Sequence, residues 1–223
     1  MPEEFKIEIG PEQQVTGLLY PAQEKANITI LLGHGAGAGQ TSGFMVNFAE
    51  ALAARGLDAV TFNFLYAERG RKVPDPGSKL EECYRAVIST VQKHPSLAGN
   101  KLIIGGKSMG GRIASQVAAA GVEGLAGVVF LGYPLHPPGK SDQLRDKHLP
   151  RISAPMLFVQ GTRDAFGTPE ELNGVFPRLA APHTLLAIEN GDHSFKVPKK
   201  GQISQEQVYS SILDEIARWA SEV

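Results

Sequence analysis

Short runs of apolar residues alternate with stretches of helical periodicity along most of the chain. Six runs, at 28–32, 57–64, 101–104, 125–131, 156–160 and 184–188, are apolar at most positions rather than at every second one. Such runs are typical of strands that are buried on both faces of a sheet. Because strands that alternate with helices form βαβ units, the pattern predicts a mainly parallel central sheet with helices on both faces.

Helices are predicted where apolar side chains recur every three or four residues. The first ends at Gly56, the second begins at a capping box formed by Ser78 and Glu81, and the last begins at a capping box formed by Ser204 and Gln207. A further helix is predicted over 109–120. The stripes that we expect to be buried are Phe44, Phe48 and Leu52; Leu80, Cys83, Val87 and Val91; and Val208, Ile212, Ile216 and Trp219.

The first two segments, 5–9 and 15–20, alternate apolar and polar residues more regularly than the later strands. This alternation predicts an antiparallel hairpin at the edge of the sheet. No internal repeat and no shift in composition marks a linker, and 223 residues suit one domain with a sizeable core. Residues 1–223 are therefore expected to form a single α/β domain.

Composition and charge restrict the class of protein further. The chain has 22 Lys+Arg against 23 Asp+Glu, a formal charge of −1, which argues against a general nucleic-acid binder. The single cysteine, Cys83, excludes an internal disulfide and falls on a predicted buried stripe. The first residues carry no apolar signal core, and no apolar stretch is long enough to span a bilayer. These features predict a cytoplasmic protein that binds neither nucleic acid nor membrane; they do not specify its oligomeric state.

The residues Gly106-Lys-Ser-Met-Gly110 lie between a predicted buried strand and a predicted helix. They match the G-x-S-x-G nucleophile elbow in the context that this motif requires. A serine raised above the sheet on a sharp turn takes a strained backbone, and glycine at 106 and 110 removes side chains that would clash there. The N-terminus of the following helix favours an anion that develops beside Ser108.

The same residues also resemble the end of a P-loop, because Gly106-Lys107-Ser108 matches the last positions of that motif. A P-loop has a glycine five residues before Gly106, where this chain has Lys101, and the residues that follow Lys101 are strand-like rather than glycine-rich. We therefore favour the nucleophile elbow over a nucleotide site. A glycine-rich turn without any chemistry is the other alternative, and the remaining loops argue against it.

A serine nucleophile needs a general base, and the base needs a carboxylate that orients it. With this elbow the chain order is Ser, then Asp or Glu, then His, each placed after a strand. Asp164 follows the strand at 156–160 and His193 follows the strand at 184–188, so both occur in the right order and place. Three other candidates, Asp142, Asp146 and Asp192, are interpreted as surface or solvated loop residues.

A glycine-rich segment, Gly33-His-Gly-Ala-Gly-Ala-Gly39, follows the first buried strand. Positions 33, 35 and 38 loosely fit the G-x-G-x-x-A dinucleotide fingerprint, but that fingerprint alone is weak evidence. The alternative is an oxyanion loop of the HG type found in esterases, which would supply backbone N–H donors. The expected donors are the amides of Met109 and Ala36, and His34 is expected to brace the loop rather than to transfer protons.

With these elements in place, the chain resembles the α/β-hydrolases over nearly its whole length. Three segments, Gly105-Gly-Lys-Ser-Met-Gly-Gly-Arg112, 131–140 and 158–167, are similar to the KANL/Tex branch of small dienelactone-hydrolase-like proteins, which includes a testis-expressed homologue and a subunit of a chromatin-associated complex. The resemblance implies an α/β-hydrolase fold without a full lid domain, with Ser108, Asp164 and His193 as the catalytic triad. It implies no particular substrate. Dienelactone hydrolases proper use a cysteine nucleophile, so their reaction is not implied for Ser108.

The sequence thus predicts a serine hydrolase that acts on an ester, thioester or similar acyl bond of a small molecule and needs no metal or organic cofactor. The segments 65–77 and 133–151 are too short for a cap domain, so the site is expected to be open or half-covered. Arg69, Arg71 and Lys72 are more typical of a solvated basic loop than of an anion site. The residues expected to contact substrate are His34, Tyr133, His136, Phe166 and Phe195.

A hydrolase-like protein-interaction module with little or no turnover is the alternative, suggested by the chromatin-complex relative. An intact triad argues against it, because a scaffold has no physical reason to keep Ser, Asp and His in register.

Overall fold

The computed structural model describes residues 1–198 and 203–223, in which eight strands form one sheet. The strands are β1 (Glu3–Gly10), β2 (Gln13–Tyr20), β3 (Ile28–Gly33), β4 (Asp58–Phe62), β5 (Lys101–Lys107), β6 (Leu125–Leu131), β7 (Met156–Gly161) and β8 (His183–Ile188). The helices are α1 (Gly43–Ala53), α2 (Leu65–Glu68), α3 (Gly77–Lys93), α4 (Met109–Ala119), α5 (Pro169–Asn173) and α6 (Gln205–Glu222), with 3₁₀ turns at Leu149–Arg151 and Phe176–Arg178.

The strand order is β1-β2-β4-β3-β5-β6-β7-β8. Strands β3 to β8 pair in parallel, whereas β1 with β2 and β2 with β4 pair antiparallel. The predicted parallel sheet and the predicted edge hairpin are both confirmed. Because the parallel strands all point the same way, the loops after β3, β5, β7 and β8 meet at one edge of the sheet.

Apolar cores lie on both faces of the sheet, as the predicted fold class requires. Helices α3 and α4 cover one face and α1 and α6 cover the other. Close packing is visible at Gly127 of β6, where an added Cβ would lie 2.5 Å from the ring of Trp219. Cys83 is buried in α3, and burial raises the pKa of its thiol to about 12, so it is a core residue as predicted.

One of the two predicted capping boxes is confirmed. The Ser204 hydroxyl accepts a hydrogen bond from the Gln207 amide, and the Gln207 side chain accepts one from the Ser204 amide. The box at Ser78 is wrong, because α3 begins before it. The carbonyl of Pro76 accepts from the amide of Leu80, so Ser78 already has helical conformation and is not the cap.

A second correction concerns Asp146, which was expected at the surface. Its side chain is 4% exposed and forms an ion pair with Arg178. A carboxylate is buried only where a partner compensates for lost hydration. That partner is remote in sequence, so the charged residues near Asp146 in sequence led to the wrong prediction of surface exposure.

None of the helices among residues 1–198 and 203–223 is long and apolar enough to cross a membrane.

Candidate active site

Ser108 occupies the turn between β5 and α4, with φ +51° and ψ −114°, a conformation that non-glycine residues rarely adopt. The turn passes very close to the end of β3. A Cβ added at Gly106 would lie 2.2 Å from the carbonyl oxygen of Gly33, and one added at Gly110 would lie 2.1 Å from the same atom. The two flanking glycines are therefore required by a backbone contact, as the motif suggested.

Three side chains from separate loops form one hydrogen-bonded chain. The Nε2 atom of His193 lies 2.8 Å from the hydroxyl oxygen of Ser108, and its Nδ1 atom lies 2.7 Å from Oδ2 of Asp164. A carboxylate oxygen can only accept, so in a neutral imidazole Nδ1 carries the proton and Nε2 is left to accept one from the serine. The structure thus brings together the three residues that the sequence singled out.

Asp164 is held by groups other than the histidine. Its side chain is fully buried, the side-chain amide of Gln160 donates to Oδ2 across 2.8 Å, and the Phe166 amide donates to Oδ1 across 2.8 Å. Donors on both oxygens fix the orientation of the carboxylate plane. Asp192, the neighbour of His193, is exposed and instead accepts from the amides of Ser194 and Lys196.

Lys107, the residue before the serine, is buried and anchors the histidine loop. Its Nζ atom donates to the carbonyl oxygen of His193 across 2.6 Å and lies 5.9 Å and 5.8 Å from the ring centres of Phe44 and Phe195. Burial lowers the pKa of Lys107 to about 8, against opposing effects of nearby carboxylates. Because this ammonium group is engaged inside the protein, it is not arranged as the phosphate-binding lysine of a P-loop.

The loop after β3 lies opposite the serine. A turn closed by the amide of Ala38 and the carbonyl of Gly35 leaves Ala36 on the wall of the cavity beside Ser108. His34 is fully buried beneath this loop: its Nδ1 atom contacts the Gly35 carbonyl at 2.8 Å and its Nε2 atom accepts from the Phe64 amide. His34 therefore braces the loop, and burial lowers its pKa.

A cavity of about 600 Å³ opens above Ser108, Met109 and Ala36. This volume falls in the range of small-molecule sites, about 300–1,000 Å³. Pro74 comes from the segment 65–77 and Pro134 from the segment 133–151, so both of the short segments that were considered as lids form parts of the rim. The apolar lining consists mainly of Phe44, Met45, Pro74, Leu80, Pro134 and Phe166.

Of the five residues expected to contact substrate, Phe166 lies on the cavity wall. Its ring centre is 4.3 Å from that of His193, so it also covers one face of the imidazole. His34 is excluded by its burial under the loop. Phe195 is fully buried in the core on the α1 and α6 side of the sheet, so its expected contact is corrected to packing.

Tyr133 and His136 are also corrected. Tyr133 is fully buried in the core on the α3 and α4 side, and its hydroxyl donates to the carbonyl of Arg145 across 2.6 Å. His136 is 5% exposed, with Nε2 placed 3.1 Å from a carboxylate oxygen of Glu171. Both hold the segment after β6 in place and lie outside the cavity lining of the described chain.

Sequence reasoning missed three basic residues on the cavity wall, Lys107, Arg112 and Arg145, and one acidic residue, Asp75. Arg112 had a usable signal, since it lies one helical turn after Ser108 in the predicted helix. Lys107 had no such signal, because lysines are almost never buried without a partner and nothing nearby in sequence indicates a partner.

Across residues 1–198 and 203–223, no cluster of three or more His, Cys, Asp or Glu could hold a metal ion.

Solved structures with the same architecture include three hydrolases or hydrolase homologues. A serine hydrolase homologue from Coxiella burnetii is 20% identical, with a TM-score of 0.73, and the match covers 99% of this chain and 96% of that one. A dienelactone hydrolase from Anabaena variabilis is 23% identical, with a TM-score of 0.74 and the same coverage. A serine hydrolase without a lid from Xanthomonas campestris is 20% identical, with a TM-score of 0.73, covering 98% and 94%.

At these identities the likeness establishes the fold, and the family rests on a separate match. The model of the alpha/beta hydrolase domain matches residues 26–221, which include the elbow, both partner loops and the glycine-rich loop after β3. The chain therefore belongs to the alpha/beta hydrolase domain family.

Proposed function

We propose that the protein is a serine hydrolase that cleaves an ester or thioester bond of a small molecule, with Ser108, His193 and Asp164 as its catalytic residues. The observation that carries the proposal is the unbroken hydrogen-bonded chain from Asp164 through His193 to Ser108 at the floor of a cavity. Such a chain is the arrangement that activates a weak hydroxyl nucleophile.

In the acylation step, the Ser108 oxygen attacks the carbonyl carbon of the substrate while Nε2 of His193 takes the hydroxyl proton. Asp164 stabilises the imidazolium that forms, and its bonds from Gln160 and Phe166 keep it oriented. The protonated His193 then gives its proton to the departing alcohol or thiol, which leaves an acyl ester on Ser108. Water, deprotonated by the same Nε2 atom, attacks that ester and regenerates the serine.

The tetrahedral intermediate in each step carries a negative oxygen. We assign its stabilisation to the backbone amides of Met109, at the first position of α4, and of Ala36, because both residues line the cavity beside Ser108. Met109 adds the positive end of the helix to its own N–H donor. Removing a single such donor costs about 3–4 kcal/mol of transition-state stabilisation in other enzymes.

The shape of the cavity favours a substrate of modest size. The segments at 65–77 and 133–151 form a rim and not a closed cover, and the lining beside Ser108 is mainly apolar. We therefore propose an apolar acyl or alcohol portion that enters from solvent. No residue in the proposed steps needs a metal or organic cofactor.

Wider assignments rest on sequence features alone. We propose that residues 1–223 act as one domain, that the chain belongs to the KANL/Tex branch because of its motifs at 105–112, 131–140 and 158–167, and that it works in the cytoplasm without nucleic acid or membrane partners.

The test is hydrolysis of 4-nitrophenyl esters of increasing acyl length, comparing the native protein with Ser108→Ala. We expect turnover of short and medium chains by the native protein and none above the uncatalysed rate by the variant. Turnover of long chains alone would contradict the half-open site. Absence of turnover with every ester and thioester would favour the interaction module instead.

A further inference from the structure

Two arginines share the wall of the cavity that holds Ser108. Arg112 belongs to α4, and its amide donates to the Ser108 carbonyl, so it stands one helical turn after the serine. Arg145 comes from the segment between β6 and β7, where its amide donates to the Leu135 carbonyl across 2.7 Å. The side chains of both arginines are partly buried, so their charges are incompletely hydrated.

Neither guanidinium has an acidic partner in the parts of the chain that the structure describes. The Arg145 side chain makes one long hydrogen bond, 3.4 Å, to the Pro134 carbonyl. Both residues line the same cavity, and burial, followed by the charge of Arg112, lowers the pKa of Arg145. Two like charges held together without a counter-ion are unfavourable unless an anion joins them.

The neighbouring groups do not neutralise this pair. Asp75 is the acidic residue on the described cavity wall, and it is held by Arg71 across 2.7 Å. Asp146, next to Arg145 in sequence, is paired with Arg178. The pair therefore presents unbalanced positive charge to the cavity.

We infer that Arg112 and Arg145 bind an anionic group of the substrate, a carboxylate or a phosphate, while its ester carbonyl lies at Ser108. The inference rests on the proposed function and narrows it to esters that carry a negative charge. Arginine suits this task because its planar fork of N–H donors matches both oxyanions and stays charged at all relevant pH.

This site is not formed by the basic loop that the sequence predicted, which contains Arg69, Arg71 and Lys72. All three are exposed, and Arg71 is paired with Asp75. The anion site is thus assigned to two residues that are 33 positions apart in sequence and that converge only in the folded chain.

The test measures binding to Ser108→Ala, which keeps ligands intact, by isothermal titration calorimetry. The anionic probes are monoethyl glutarate and monobutyl phosphate, and the neutral reference is diethyl glutarate. We expect at least one anion to bind about 10- to 100-fold more tightly than the neutral diester, as for charge-assisted hydrogen bonds. Which anion binds more tightly distinguishes a carboxylate site from a phosphate site.

The same titrations are repeated after adding Arg112→Gln, Arg145→Gln or both to Ser108→Ala. Each change is expected to remove most of the preference for the anion. Lys147→Gln is the matched control, because it removes one charge from an exposed position two residues from Arg145 and should keep the preference. Circular dichroism and thermal unfolding verify that each variant is folded.

Equal binding of anionic and neutral probes to Ser108→Ala, or a preference that survives the double arginine change, overturns the inference. Because these measurements need no turnover, they are independent of the proposed function. Anion binding without ester hydrolysis by the native protein would support the anion site and contradict the proposed hydrolase activity. Ester hydrolysis without a preference for anions would support the hydrolase activity and contradict the anion site.

Discussion

The ammonium group of Lys107 donates a hydrogen bond across 2.6 Å to the backbone carbonyl of His193. The residue that precedes the proposed nucleophile therefore holds the loop that carries the proposed base. This contact joins the end of β5 to the loop after β8, two segments that lie far apart in sequence. It makes the spacing between Ser108 and His193 depend on a buried lysine, and the first two predictions concern this lysine and its contact.

The first prediction concerns the pH dependence of stability. Burial lowers the pKa of Lys107 from 10.5 to about 8, so the cost of burying its charge is fully present below pH 8 and disappears as the folded protein loses that proton. Relative to Lys107→Met, the native protein should gain up to about 3 kcal/mol of unfolding free energy as pH rises from 8 to 10.5. Urea unfolding of both proteins across this range measures the change, and a constant difference would refute it.

The second prediction concerns Gly132, which has φ +70° and packs against this contact. A Cβ there would lie 3.0 Å from the His193 carbonyl oxygen and 3.1 Å from Nζ of Lys107. Gly132→Ala should therefore displace the histidine loop and lower kcat by about 10- to 100-fold.

Gly139→Ala is the matched control, because Gly139 has φ +72° and nothing within 4 Å of its added Cβ. Both variants should lose about 1–2 kcal/mol of stability to the left-handed backbone. Ester hydrolysis and urea unfolding separate the two effects. An equal loss of activity in both variants would show that crowding at the loop does not matter.

The third prediction separates the two aspartates beside His193. Asp164→Asn should lower kcat by about 10³- to 10⁴-fold, because an amide no longer stabilises the imidazolium and can impose the wrong tautomer. Asp192→Asn keeps an oxygen that can accept from the Ser194 and Lys196 amides, so its kcat should stay near the native value. Steady-state kinetics with one ester measures kcat for both variants. A larger loss of kcat in Asp192→Asn than in Asp164→Asn would show that Asp192, and not Asp164, supports His193.

The fourth prediction concerns the close contact beneath the elbow. Gly110→Ala would place a Cβ 2.1 Å from the Gly33 carbonyl oxygen, a backbone atom that cannot rotate away. We expect a loss of about 3 kcal/mol or more in unfolding free energy. Gly43→Ala, in the first turn of α1 with nothing within 4 Å, should instead gain about 0.4–1 kcal/mol. Urea unfolding would contradict the account if the two changes had the same sign.

The parallel sheet and its helices could be predicted because strands that are buried on both faces are apolar at most positions, as in the run 125–131. The positions of Ser108, Asp164 and His193 could be predicted because each follows a strand, and parallel strands deliver their loops to one edge. Most residues of the cavity wall could not be predicted in this way. Tyr133, His136 and Phe195 point into packing or hydrogen-bonded positions that depend on partners distant in sequence, such as Glu171 for His136.

The charged residues of the site show the same limit. Lys107 can be buried because a carbonyl from another loop accepts its hydrogen bond, and Arg145 reaches the cavity through the path of an irregular segment. Neither contact can be predicted from the periodicity of nearby residues. The capping box at Ser78 was wrong for a related reason, since Pro76 two residues earlier already closes the first turn of α3.

The central claim is that His193 activates Ser108 for attack on an electrophilic centre. Its most direct test is covalent labelling by a fluorophosphonate, in which the serine oxygen displaces fluoride from phosphorus, followed by intact-protein and peptide mass spectrometry. The account predicts one adduct on the peptide that contains Ser108, no adduct in Ser108→Ala, and an adduct in Ser42→Ala, where another cavity serine is removed. A folded native protein that acquires no adduct, or acquires it at another serine, would contradict the claim.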